Sequence, residues 1–407
     1  EMNIRDWSSD VCSSDLNLYG PGRDTTPYHQ TVLDNVAPQL IADLKEQAGY
    51  DARRQEVAAF NRLNPVLKKG LALTPVKFGI SFTTKHLNQA GALVHVYTDG
   101  SIHLNHGGTE MGQGLMVKVA QITADVFGVD LDRVKITATT TGKVPNTSAT
   151  AASSGTDLNG MAAEQAALTI RDRLTHFAAE AYDTPPEVIA FRDNHVIVGN
   201  EVVTFPELVK QAYLNRISLS STGFYATPDI HYDRANHRGR PFYYYAYGAA
   251  LSEVIVDTLT GEYRCSRVDL LHDVGRSLNP AVDLGQVEGG FIQGMGWLTS
   301  EELVFDAEGR LRTHAPSTYK IPVAGDRPDR FNIAIWAPGE NTERTIRRSK
   351  AVGEPPFMLA ISVWSALADA VASVAGHRLA PRLDAPATPE AVLRAVDALR
   401  QRDEAAS

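Results

Sequence analysis

Three stretches rich in glycine and other small residues limit the possible folds of this chain more than any other feature. They are Gly-Gly-Thr-Glu-Met-Gly-Gln-Gly at 107–114, a run of alanine, serine and threonine at 146–157, and an apolar run with spaced glycines at 283–296. Small residues permit tight turns and close backbone approach, and a helix start exposes N–H groups without intrahelical partners. The pattern predicts loops that hold a large ligand through the main chain, with tight packing as the alternative for each loop.

Patterns of helix and strand are mixed along the chain. Apolar residues at helical spacing predict helices at residues 31–58, 115–127, 158–181, 283–296, 356–374 and 391–399. Alternating patterns and turn signals predict strands at residues 68–80, 92–97, 101–104, 133–140, 243–256, 262–272 and 331–336. This mixture predicts an α+β fold.

The chain has 407 residues, too many for one compact core, so several lobes are expected. Residues 1–16 repeat a Ser-Ser-Asp-hydrophobe unit that resembles a translated sequencing adapter; a disordered arm is the alternative. We predict lobes at residues 17–180 and 181–375. Residues 376–407 are predicted to form a C-terminal tail with a short helix.

Composition argues against several functional classes. The net charge of −9 is unfavourable for nucleic-acid binding, because phosphate-binding surfaces carry a basic excess. No uninterrupted apolar run reaches the roughly 20 residues of a membrane-spanning helix, so no membrane association is expected. The two cysteines, Cys12 and Cys265, are too few for an iron–sulfur cluster or a disulfide framework. A cytoplasmic location is expected.

One acid near the C-terminal end has a distinctive setting. Residues 349–356 read Ser-Lys-Ala-Val-Gly-Glu-Pro-Pro, and an apolar run follows. Pro355 predicts that Glu354 lies outside the helical region of backbone space, on a rigid corner at the edge of a core. Partial burial would raise the pKa of this carboxylate and suit it to act as a general base. The alternative is an acid that caps the next helix.

Neutral polar side chains accompany the glycine-rich stretches. Gln113 and Gln286 carry amides that donate without a charge, and Ala151-Ala152 would allow a bulky group to approach the main chain. The three loops contain no basic residue, which argues against a nucleoside triphosphate. The Phe82 ring could stack on a planar heterocycle, and the Thr83 hydroxyl could hydrogen-bond to the edge of that heterocycle. The alternative is that Phe82 is an ordinary core phenylalanine.

Five motifs together resemble one family. They lie at residues 77–83, 88–92, 107–114, 285–289 and 349–356. In this order they are similar to the molybdenum-cofactor-binding large subunit of the xanthine dehydrogenase type, in the molybdenum hydroxylase family, and most similar to the separate bacterial subunit. The resemblance implies a multi-lobed molybdopterin-binding domain of the xanthine dehydrogenase/aldehyde oxidase type.

The resemblance also implies residue roles. Glu354 would be the catalytic base, taking the proton from Mo–OH, so that the oxygen attacks a purine carbon while hydride passes to Mo=S. The implied cofactor-binding residues are Gly112, Gln113, Gly114, Ala151, Ala152, Ser153 and Gln286. Gln113 and Ala152 would lie near molybdenum without ligating it through their side chains. Phe82 and Thr83 would contact the substrate.

The implied activity is oxidation of hypoxanthine and xanthine to urate with a sulfido-form molybdopterin. The [2Fe-2S] centres and FAD would lie on a partner chain in a hetero-oligomer, with NAD as the acceptor. The family's large subunit is longer at its N-terminus, so we expect a truncated chain with little turnover alone. Two alternatives are an aldehyde oxidase type of hydroxylase and an inert fragment that only docks partner subunits.

Overall fold

The computed structural model of the protein describes residues 18–144 and 146–406. The described helices of the α type are α1 (Ala37–Ala48), α2 (Tyr50–Leu63), α3 (Leu115–Phe127), α4 (Gly155–Ala181), α5 (Phe205–Leu214), α6 (Pro280–Thr299), α7 (Pro355–Met358), α8 (Ile361–Ala372) and α9 (Pro389–Ala406). The strands are β1 (Leu67–Ile80), β2 (Gln89–Val96), β3 (Ile102–His106), β4 (Val134–Ile136), β5 (Ile189–Arg192), β6 (His195–Val198), β7 (Glu201–Thr204), β8 (Ser220–Ala226), β9 (His231–Asp233), β10 (Arg238–Arg240), β11 (Tyr244–Asp257), β12 (Tyr263–Asp273) and β13 (Arg330–Ile335). The predicted leader at 1–16, including Cys12, lies outside the described residues.

Two four-stranded sheets form the framework. The first has the order β1-β11-β12-β13, with β13 parallel to β12 and the other pairs antiparallel. The second has the order β4-β3-β2-β8, with β4 parallel to β3. Each sheet combines strands from both sides of residue 180 in the sequence. The predicted lobe boundaries at residues 180 and 375 stay a prediction.

Both faces of the first sheet are buried. Because successive side chains of a strand point to opposite faces, Leu71 and Leu73 of β1 pack toward α1 and α2, and Ala72 packs toward α6 and α8. This explains why residues 70–74 in the middle of β1 are all buried. In the second sheet, α3 and α4 share a core with β2 and β3.

Three predicted elements have different limits in the structure. The helix predicted at 31–58 is divided at Gly49, whose φ of 65° is left-handed and ends α1. The strand predicted at 133–140 shortens to β4, which has three residue pairs with β3 at the sheet edge. The helix predicted at 356–374 is divided into α7 and α8.

The segment Pro355–Ala375 has the length and apolar composition of a membrane-spanning helix, although the count of uninterrupted apolar residues did not indicate one. More than half of it is buried inside the fold, where α8 packs against β1 and β11. A Cβ added at Gly294 of α6 would lie 2.3 Å from the Phe357 carbonyl oxygen. Only glycine fits there, which confirms the predicted close packing of α6 on another backbone.

Candidate functional site

The first turns of α3, α4 and α6 meet residues 349–354 around a cleft of about 310 Å³. This volume is at the lower end of the roughly 300–1,000 Å³ typical of small-molecule sites. Residues of all three glycine-rich or small-residue stretches contribute to its lining. The structure therefore brings together four segments that are far apart in the sequence.

Five of the predicted site residues line this cleft: Gln113, Ala151, Ser153, Gln286 and Glu354. Three others, Gly112, Gly114 and Ala152, are their neighbours in the chain but do not line the cleft. Shared location supports a common site for the five. The individual roles stay predictions.

The predicted substrate residues lie outside the lining of the cleft. Phe82 is half-buried and Thr83 is exposed just beyond the end of β1. Asn88 holds this turn, accepting from the Phe82 N–H at 2.7 Å and donating to the Phe82 carbonyl at 2.9 Å. The Ser148 hydroxyl donates to the Gln89 carbonyl at 2.9 Å, connecting this region to the small-residue loop at 146–157. The substrate role of Phe82 and Thr83 stays a prediction.

Glu354 and Ser153 make two reciprocal hydrogen bonds across the cleft. The Ser153 hydroxyl donates to Glu354 Oε2 at 2.7 Å and accepts from the Glu354 N–H at 2.9 Å. The Glu354 carboxylate makes no capping hydrogen bond to α7, so the capping alternative is wrong. Two other expectations are also wrong. Glu354 was expected outside the helical region of backbone space, but its φ and ψ are −99° and −34°. It was expected to be partly buried, but it is exposed. The bonds to Ser153 hold the backbone in this conformation despite the following proline.

The loop opposite Glu354 has an uncommon backbone. Ala152 and Ser153 both have a φ of 55°, in the left-handed region that side-chain-bearing residues seldom adopt. Such strained residues occur most often at functional sites, where the surrounding structure holds them. Here the contact with Glu354 provides part of that support.

A buried lysine attaches the Glu354 segment to the rest of the fold. Lys350 Nζ lies 2.6 Å from an Asp34 carboxylate oxygen and 2.6 Å from an Asp273 carboxylate oxygen. The exposed fraction is 1% for the Lys350 side chain and 0% for Asp273. The Lys350 N–H also donates to the Val274 carbonyl at 2.7 Å. These contacts fix the backbone four residues before Glu354.

Tyr244 connects the same segment to α4. Its hydroxyl donates to Asp157 Oδ2 at 2.6 Å and accepts from the Ala351 N–H at 3.0 Å. The Asp157 side chain keeps some accessible surface on the cleft, but protein surrounds its carboxyl group on most sides, and this burial raises its pKa to about 7. A proton on this carboxyl therefore responds to pH near neutrality.

A second buried ion pair lies in the cleft wall between α3 and α6. Lys118 Nζ contacts Asp283 Oδ1, and the Ser277 hydroxyl donates to Asp283 Oδ2 at 2.5 Å. Lys118 and Asp283 both line the cleft. Among residues 18–144 and 146–406, no three His, Cys, Asp or Glu side chains are grouped to hold a metal ion.

The backbone donors of the 107–114 loop are not available to a ligand as the sequence predicted. The N–H groups of Gly112, Gly114 and Met116 all donate to the Glu110 carboxylate, at 2.9–3.0 Å. The expected main-chain cradle is therefore filled by the chain's own side chain. The residues of this loop that line the cleft are Met111 and Gln113.

Sequence reasoning missed four polar residues of the cleft: Lys118, Asp157, Asp283 and Lys350. It also missed Tyr244. A lysine beside the apolar stripe of a predicted helix was a usable signal for Lys118. The Lys118–Asp283, Tyr244–Asp157, Lys350–Asp34 and Lys350–Asp273 contacts join residues 77 to 316 positions apart in the chain, which periodicity cannot detect.

Comparisons with known proteins identify the family that the chain matches. A family model described as molybdopterin cofactor-binding domain matches residues 43–328. The xanthine dehydrogenase/oxidase of Mus musculus is 45% identical over 385 residues, which are 93% of this chain and 27% of the mouse protein. The xanthine dehydrogenase of Oryza sativa subsp. japonica is 45% identical over 399 residues, 95% of this chain and 28% of the rice protein. The chain thus spans about a quarter of the length of these relatives.

Solved structures share the fold. The quinoline 2-oxidoreductase of Pseudomonas putida 86 superposes with a TM-score of 0.79 at 24% identity, covering 94% of this chain and 48% of that one. The aldehyde oxidoreductase of Desulfovibrio desulfuricans ATCC 27774 superposes with a TM-score of 0.72 at 21% identity, covering 93% of this chain and 37% of that one. These likenesses confirm the predicted α+β fold of the molybdopterin-binding type.

Proposed function

The chain belongs to the molybdopterin cofactor-binding domain family, and from this premise we propose that it serves a molybdenum-dependent hydroxylase that oxidises hypoxanthine and xanthine to urate in purine catabolism. The observation that carries the proposal is that Glu354, Gln113 and Gln286, which lie far apart in the sequence, line one cleft. The names of the mouse and rice relatives support the purine substrate.

The cleft has a chemical character that fits a molybdopterin. Gln113 and Gln286 bring neutral amides to the wall, Ser153 brings a hydroxyl that is already bonded to Glu354, and Ala151 and Gly353 add almost no bulk. A pterin has many nitrogen and oxygen atoms at its edge, which such groups can recognise without a charge. When bound, the cofactor supplies the two-electron redox chemistry and the activated oxygen. Gln113, Ala151, Ser153 and Gln286 would hold it, with Gly112, Gly114 and Ala152 shaping the loops.

Glu354 would act as the general base. Its Oε2 is held by Ser153, while its Oε1 makes no hydrogen bond within the described part of the chain. An oriented, accessible carboxylate at the cleft can accept a proton in the reaction. Phe82 and Thr83 would contact the purine, a role that requires substrate to extend from the cleft toward the end of β1.

The proposal is tested by Glu354→Gln in the enzyme assembled with its electron-transfer partner. Removal of a general base is expected to lower kcat for xanthine by about 10²–10⁴-fold, with unchanged molybdenum content. The exposed Glu201→Gln in β7, outside the cleft, is the matched control and should leave both values unchanged. A near-normal rate for Glu354→Gln would assign Glu354 a structural role instead.

The electron-transfer groups of the proposed enzyme would lie on another polypeptide chain. We propose [2Fe-2S] centres and FAD on a partner chain, NAD as the acceptor, and a cytoplasmic hetero-oligomer. Within the described residues, Cys265 is a buried free cysteine in β12. Co-purification with an iron–sulfur/FAD chain, with molybdenum and urate assays, tests this. Turnover of aromatic aldehydes in preference to xanthine would favour an aldehyde oxidase, and partner binding without molybdenum would favour an inert docking fragment.

A further inference from the structure

A carboxylate of the chain itself occupies the start of α3. Glu110 Oε1 accepts hydrogen bonds from the N–H groups of Gly112 at 2.9 Å and Gly114 at 3.0 Å, and Oε2 accepts from Met116 at 2.9 Å. The first N–H groups of a helix have no intrahelical partners and carry a partial positive charge. The helix has no side-chain cap at Gly114, so Glu110 satisfies these donors from within the loop.

The conformation of the loop depends on the two glycines that donate to this carboxylate. Gly112 has a φ of 99° and Gly114 a φ of 77°, values that side-chain-bearing residues rarely adopt. Burial alone would raise the pKa of Glu110, but the donors from Met116, Gly114 and Gly112 outweigh it and lower the pKa. Glu110 is therefore an anion at neutral pH, and it would repel a second anion at the same position.

The same loop fixes the side chain of Gln113. Its Oε1 accepts from the Met111 N–H at 2.5 Å, and its Nε2 donates to the Thr109 carbonyl at 2.8 Å. Both partners belong to the turn that closes around Glu110. If the Glu110 carboxylate is removed, the three N–H groups lose their acceptor. The turn that orients the Gln113 amide then loses the hydrogen bonds that hold it together.

We propose that Glu110 is a positioning residue, whose carboxylate folds the 107–114 loop and so orients Gln113 toward the cleft. The order of the loop is a property of the chain itself; the identity of the ligand that Gln113 meets rests on the proposed function. The Gln113 amide has a second N–H beyond the one bonded to Thr109, and this donor would meet the ligand, while the converging N–H groups of the loop serve the fold.

The loop's order can be measured without cofactor, by amide hydrogen exchange across residues 107–116 in the full chain. Glu110→Ala should accelerate exchange at Gly112, Gly114 and Met116 by at least about tenfold, because each loses a hydrogen bond to a charged group. Glu110→Gln keeps one acceptor oxygen and should give an intermediate effect. Asp125→Ala, at an exposed position near the other end of α3, is the control and should not change the loop.

Added acetate supplies the probe for the vacated anion position. It should restore protection in Glu110→Ala and have no effect on the wild type, where the position is filled. Unchanged exchange in both Glu110 variants, or failure of acetate to protect the alanine variant, would overturn the proposal.

A second measurement addresses the link to Gln113. In the assembled enzyme, Glu110→Ala and Gln113→Ala should each reduce molybdenum content, and the double variant should lose no more than Gln113→Ala alone. Additive losses would contradict action through Gln113. If the exchange results are as expected but the wild type contains no molybdenum, the positioning role remains and the proposed function is wrong.

Discussion

The two walls of the cleft are built in different ways. In the 107–114 loop, the bonds of Glu110 and Gln113 join residues two to six positions apart. Two hydrogen bonds connect this loop to more distant segments, from the Thr109 N–H to the Thr150 hydroxyl at 2.9 Å and from the Thr139 hydroxyl to the Gly108 carbonyl at 2.8 Å. In the 349–354 segment, Ser349 bonds to residues three to eight positions away. The side-chain bonds of the following residues, to Lys350, Ala351 and Glu354, join residues 77, 107, 201 and 316 positions apart. The first wall is therefore ordered mostly by bonds within its own sequence, and the 350–354 part of the other wall by the tertiary fold.

This difference predicts how each wall responds to damage. Local bonds can form as soon as the turn forms, so changes in the glycine loop should alter local order more than global stability. The 349–354 segment is ordered by buried charges and hydroxyls from distant parts of the chain. Changes in those partners should lower the free energy of unfolding of the whole protein.

The largest effect is expected for Lys350→Met. This change leaves Asp273, which is 0% exposed, without its cation, and breaking one side of a buried ion pair typically costs about 3–5 kcal/mol. Chemical denaturation of the full chain would measure the loss. Arg264→Met, which removes an exposed ion pair with Asp329, is the control and should leave stability nearly unchanged. Equal effects of the two variants would show that the buried charges around Lys350 contribute no more than a surface ion pair, and the 349–354 segment would not depend on them.

The next effect concerns pH. Asp157 has a folded-state pKa of about 7, above its usual value of 3.8, so the native state binds more protons than the unfolded state between these values. The contribution of Asp157 to stability should therefore be complete below about pH 4 and decrease as pH rises through 7, by at most about 1.4 kcal/mol per pH unit.

Comparison with Asp157→Asn isolates this contribution. Burial lowers the pKa values of His106 and His272 to about 4, so those groups make stability rise with pH between about 4 and 6.5. They are present in both proteins and cancel in the difference. The stability of wild type relative to Asp157→Asn should fall by about 2 kcal/mol from pH 5 to 6.5. A difference that is constant with pH would show that Asp157 is ionised throughout.

The contrast between the walls also explains what the sequence could predict. The hairpin of the strands predicted at 92–97 and 101–104, the end of the helix predicted at 115–127 and the position of the glycine loop are local features, and they were predictable because their causes lie within a few residues. Glu354 was recognised from its glycine and prolines, but its exposure and its bond to Ser153 were not. The bond joins residues 201 positions apart, and its Ser153 partner lies in a left-handed turn with Ala152 that the sequence pattern does not indicate.

The smallest effect we expect, and the most specific, distinguishes two neighbouring tyrosines of β11. Tyr244→Phe removes the hydroxyl that joins Asp157 to the Ala351 N–H, leaving two polar groups without this partner, at a cost of about 1–2 kcal/mol. Tyr247 is also buried, but its hydroxyl has no hydrogen-bond partner among the described residues. Tyr247→Phe deletes the same atom without breaking a bond, so denaturation should show little loss or a slight gain of stability. If both variants lost the same stability, the hydroxyl of Tyr244 would contribute nothing specific, and long-range hydrogen bonds would not be what holds the Glu354 wall.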